Sequence, residues 1–204
     1  MAVRLRILSG VVAALAGLWS TMETAHACAC CSNRGARYVA VEPISEPRLR
    51  ELEQMTFDPT AALATGEADA PGEFREFGTK FVLEVERIDS RIVFSFRGEG
   101  GAIAALTLPL PDTISIFEVD PRSGVPDEGL GPLLYKEWQL TVDADGRGTG
   151  VFRSFTGPGQ TLSLILHGRG RGCTDAEDFT DWTLLLDGPS GRLTLYGALT
   201  STSR

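Results

Sequence analysis

The sequence predicts an all-β domain, an antiparallel barrel or sandwich of about nine or ten short strands. Three observations carry that expectation. Apolar and polar residues alternate through Phe81–Val85, Ile92–Phe96, Leu134–Val142 and Leu162–Leu166, the period of strands with one buried face. Tight-turn residues separate these runs, with Asp89-Ser90 and Asp145-Gly146 the clearest. Helical spacing is confined to one place, Arg48–Met55, too little to supply βαβ crossovers.

The chain opens on a segment that reads as an export signal. Arg4 and Arg6 precede a 13-residue apolar run, Ile7–Trp19, which falls short of the ~20 residues that span a bilayer. Ala25-His26-Ala27 then offers small residues at the positions a signal peptidase reads. The expectation is cleavage after residue 27, leaving one β-rich domain, 28–204, with a cysteine-rich start. A lipoprotein cut also falls before a cysteine, but Ala25 and His26 suit that signal poorly, so a soluble periplasmic or secreted form is favoured. No later run is long and apolar enough for a transmembrane helix. Net charge is −8; the removed segment takes two of 19 basic and one of 27 acidic residues, leaving 17 against 26, or −9. Such a chain repels nucleic acid and anionic lipid, which argues against both as partners.

After the cut, Arg37–Val41 reads as a first strand, broken by Pro43 and Pro47. Leu49, Leu52 and Met55 recur at helical spacing, so at most one short helix is expected near residues 48–55, with Pro47 in its first turn. Residues 67–78 form an acidic loop of small residues. From Thr79 onward the strands follow closely: the Asp89-Ser90 hairpin, then Ile103–Leu108 and Thr113–Val119, then a proline- and glycine-rich loop over 120–132. Leu134, Trp138, Leu140 and Val142 share one face of the next strand, opposite Tyr135, Glu137, Gln139 and Thr141. Thr149–Phe155 reads as its return across Asp145-Gly146. Leu162–Leu166 ends at His167, and a last pair, Trp182–Asp187 and Arg192–Leu199, closes the domain.

Chemistry concentrates in two places. Cys28, Cys30 and Cys31 lie within four residues, and the fourth cysteine, Cys173, is far along the chain. In an exported protein a staple is the plainest reading. A Cys31–Cys173 bridge would close a loop of over 140 residues, worth roughly 4–5 kcal/mol of chain entropy. A metal site is the sharper alternative, since Cys28, Cys30, Cys31, Cys173 and His167 offer thiolate and imidazole donors suited to copper or zinc. Cys28 and Cys31 also have the spacing of a redox dithiol, but no thioredoxin-like setting surrounds them.

The second place is His167–Trp182, where Gly168, Gly170 and Gly172 alternate with Arg169 and Arg171 before Asp175, Glu177 and Asp178. Those residues suit a loop that binds an anion through its arginines or a hard cation through its carboxylates. The plainer reading is local pairing of opposite charges, with Phe179 and Trp182 filling the interior. No nucleophile elbow, phosphate loop or dinucleotide fingerprint occurs. The balance leans towards a non-enzymatic exported domain with a soft-metal or disulfide site. The alternatives are a periplasmic thiol-redox or hydrolytic enzyme and a barrel that holds a small ligand inside.

Overall fold

The computed structural model describes residues 37–64, 77–98, 100–119, 134–170 and 175–200. They form a mostly antiparallel all-β fold with one α-helix, as the alternation predicts. In chain order the strands are β1 (Arg37–Pro43), β2 (Thr56–Phe57), β3 (Thr60–Ala64), β4 (Phe77–Ile88), β5 (Arg91–Arg97) and β6 (Ile103–Pro109). They continue with β7 (Thr113–Val119), β8 (Leu134–Asp143), β9 (Thr161–Gly170), β10 (Phe179–Asp187) and β11 (Leu193–Thr200). The ladder runs β1-β7-β8-β9-β10-β11-β3-β4-β5-β6, with β2 on the side of β11. None of the helices among the described residues is long and apolar enough to cross a membrane.

The sheet curls until distant strands meet across its interior. Phe94 on β5 and Trp182 on β10 are separated by three strands in the ladder, yet their ring centroids lie 6.2 Å apart. Phe57 sits against both, 5.4 Å from Phe94 and 5.9 Å from Trp182. The sheet does not close as a continuous ladder. Instead the chain just after β8 leans on β6 through a single bridge, Leu106 to Gly148. Thr107 N donates to Arg147 O and Thr149 N to Ala105 O, both at 2.9 Å. Burial follows the alternation on β5, β6, β9 and β10, where every second side chain is withdrawn from solvent. Leu162, Leu164, Leu166, Trp182, Leu184, Leu186 and Leu195 fill the inward faces of the last strands.

The helix α1 (Glu46–Gln54) starts with proline in its first turn and buries Leu52, with Met55 just beyond it. Arg87 Nη2 donates to the carbonyls of Leu52 (3.0 Å) and Met55 (2.6 Å), satisfying groups that a helix C-terminus leaves open. The Asp89-Ser90 turn joins β4 and β5 directly, with Asp89 at φ 53°, a conformation aspartate tolerates.

One expected strand is absent. Thr149–Phe155 does not return along β8; Gly150–Phe155 is a 3-10 helix, and β9 takes the place beside β8. Gly150 is the reason. It takes φ +60°, and a Cβ there would overlap Ala104 and the Ile103 carbonyl, so a glycine stands where the extended run is interrupted. The helix then drops Phe152 into the interior, 5.1 Å from the Phe96 ring.

Candidate functional site

Among the described residues the inward face of the sheet is largely apolar, but one row across it carries charge. Register pairs Tyr38 with Glu118, Glu118 with Lys136, Lys136 with Gly168, and Gly168 with Phe179. Glu118 follows the buried Ile114 and Ile116 on the same face, and Lys136 lies between Leu134 and Trp138. Lys136 is 1% exposed and forms an ion pair with Asp178. A buried ammonium is tolerated only when paired, so Asp178 has to be brought to it.

The glycine-rich run does that. Gly168 and Gly170 point inward, and a Cβ at either would overlap Asp178, its backbone at Gly168 and its carboxylate at Gly170. Their missing side chains form a notch in β9 in which the 3-10 turn Ala176–Asp178 sits. The turn is tied down twice more. Asp175 accepts from Glu177 N at 3.3 Å, and Ala176 N donates to Glu51 Oε2 on α1 at 2.7 Å.

Other charges converge on the same end. Glu42 accepts from Tyr38 and from Arg48 of α1, and these contacts hold its carboxyl below the usual range. Burial pushes Glu118 upward, countered by Lys136 and Arg48 and reinforced by Asp178 and Glu42. The result is a polar cap with carboxylates in excess: Glu42, Glu51, Glu118 and Asp178 around Arg48 and Lys136.

The outer face of the same strands carries a separate set. Arg37 stands over the Phe117 ring at 5.7 Å, Phe117 meets Tyr135 edge-on at 6.1 Å, and Tyr135 donates to Glu137 at 2.9 Å. Burial and the Glu137 carboxylate raise the Tyr135 phenol above its ordinary value. His167 lies in register between Glu137 and Asp181, half-buried, and Arg169 is exposed beside Tyr135.

The residues singled out in the sequence therefore separate. Asp178 turns inward to Lys136, whereas His167 and Arg169 lie on the outer face, and Asp175 and Glu177 are exposed on the turn. Asp178 takes a lysine from β8 as its partner, where the sequence suggested a neighbouring arginine. Cys28, Cys30, Cys31, Arg171 and Cys173 lie outside the described residues. Among the described residues, no three His, Asp or Glu side chains converge on a point where a metal ion could sit. Lys136 escaped the sequence reading, although its signal was present: a lysine at an inward position of an apolar face, level with an inward glycine. Compared with protein-family models, curated proteins and solved structures, the chain matches none.

Proposed function

We propose that this is an exported β-domain, periplasmic or extracellular, whose cysteines make one shared site at the end of the sheet that carries the polar cap. Cys173 joins the Cys28-Cys30-Cys31 cluster, either as a structural disulfide or as a copper or zinc site that also uses His167. The protein acts by holding that site on a rigid scaffold, without catalysis.

One observation supports this reading above others. Register places Arg37, Val119, Tyr135 and Arg169 in a single row, so the chain flanking the two cysteine segments reaches the same end of the sheet. Arg37 and Arg169 are three strand spacings apart, about 14 Å. Cys31 is six residues before Arg37 and Cys173 four after Arg169, and at ~3.3 Å per residue the two flanks reach roughly 30 Å. The gap is well within that span. In an oxidising compartment, thiols that can meet are better paired than free.

The test is intact mass of the exported protein with and without reduction, alongside metal analysis. A start at Cys28, with a mass that rises by two hydrogens per bridge on reduction, identifies the staple. Stoichiometric copper or zinc, weakened by both Cys173→Ala and His167→Ala, identifies the metal site. Four free thiols and no metal would exclude both.

A further inference from the structure

A second concave site lies on the far side of α1 from the polar cap. It is a cleft of about 190 Å3 between the helix and the β4–β5 hairpin. Leu49, Leu52, Ile92 and Leu110 line it with aliphatic surface, and Arg87 and Arg91 stand at its rim with Glu53 and Asp89. From these features we propose that the cleft binds a small amphipathic carboxylate, its acyl chain on the aliphatic floor and its head group on Arg87.

The charges at the rim are unequal. Asp89 is exposed and meets Arg91 only at 3.9 Å, a solvated pair of little energetic weight. Glu53 is exposed as well. Arg87 is exposed too, but it differs in being held in place: Nη2 donates to the Leu52 and Met55 carbonyls, and the guanidinium stands over the Phe57 ring at 5.7 Å. Partial burial lowers the affinity of its guanidinium for the proton, countered by the nearby Glu53 carboxylate. Among the described residues, no acceptor meets Nε or Nη1. A fixed, partly desolvated guanidinium with open donors beside an aliphatic floor complements a carboxylate with a short chain. The two carbonyls hold the fork in place, so little side-chain freedom is lost on binding.

The probe is octanoate, titrated calorimetrically into the full chain, with hexanoate, acetate and octylamine in parallel. Octanoate should bind saturably with unit stoichiometry. Each methylene buried on the floor is worth about fourfold in Kd, so hexanoate, two methylenes shorter, should be roughly fifteenfold weaker than octanoate and acetate undetectable. Octylamine should bind at least tenfold more weakly than octanoate. Arg87→Gln should weaken octanoate tenfold or more. Because Arg87 also caps α1, a second variant guards against misfolding: Leu49→Glu, at a half-buried floor position, should abolish binding while the circular dichroism spectrum is kept. Equal affinity for octanoate and octylamine, full binding by Leu49→Glu, or no saturation at 10 mM octanoate would each overturn the proposal.

Discussion

Trp138 and Lys136 occupy consecutive inward positions of β8, and each is only 1% exposed. Their surroundings are opposites. Trp138 packs 4.9 Å from the Phe179 ring and is one of many apolar side chains facing the interior, so its stabilisation comes from area and is spread over neighbours. Lys136 is held by specific charged partners, chief among them Asp178, which sits in the notch left by Gly168 and Gly170. Two residues along one strand thus separate a region that specifies the fold by volume from one that does so by pairing. The first kind of region degrades in proportion to what is removed. The second fails when a single partner is lost.

Replacing Trp138 by alanine should give the largest loss, about 3–5 kcal/mol, from lost transfer energy and an unfilled cavity. Urea denaturation with unchanged slope and a lower midpoint is the expected reading. A loss under about 1 kcal/mol would mean that the apolar region tolerates a hole as easily as a surface does.

Asp178→Ala should cost about 3 kcal/mol, the low end for a broken buried pair, because the Asp178 side chain keeps 19% of its exposure. The sharper comparison is the double variant Lys136→Met with Asp178→Leu, which removes both charges. It should recover to within about 1–2 kcal/mol of the parent, measured in the same denaturation series. If the double variant is as unstable as Asp178→Ala alone, then lost packing in the notch, and not a stranded ammonium, sets the cost.

Glu118→Gln should have the smallest effect, and in the opposite direction. Burial raises the Glu118 carboxyl above its ordinary value, so the folded protein holds this proton more tightly than the unfolded chain does. The stability it contributes is full below the unfolded value and is lost as pH rises through the raised folded value. At neutral pH the carboxylate is therefore a burden that glutamine removes. Thermal melts at pH 7 should rise slightly for the variant, and its advantage should fade as pH is lowered to 4. An advantage that grows on acidification would reverse the assignment.

The legible parts of the fold were those where one face is buried and the other wet. Ile92, Phe94 and Phe96 on β5 and Leu162, Leu164 and Leu166 on β9 carry the period of two plainly. β2 and β3 escaped notice because Thr56-Phe57 is two residues long and Thr60–Ala64 is mostly alanine and leucine, without alternation; their partners β11 and β4 define them. Thr149–Phe155 misled for the converse reason. Its β-branched and aromatic residues favour a strand, but Gly150 at positive φ and an already occupied neighbour of β8 decide otherwise. At the candidate site the run His167–Trp182 stood out by composition. What composition could not convey was that Gly168 and Gly170 face inward while Arg169 faces out, so a charged loop divides between two faces.

The position of β11 bears on how the chain assembles in time. β4-β5-β6 is a meander whose contacts are local, and β8-β9-β10-β11 is a second one with a single longer link. What unites them is β11, which pairs with β10 on one side and with β2 and β3 on the other. That strand is synthesised after all the others described. Until Leu195 reaches Leu63, β3 and β2 lack this partner, and the earlier strands must wait with an open edge on which another chain can pair. Such distant pairing belongs to slow-folding topologies, in which closure entropy is lost before the contacts repay it. A polypeptide built this way is vulnerable to mispairing along the β2 and β3 edge until β11 covers it.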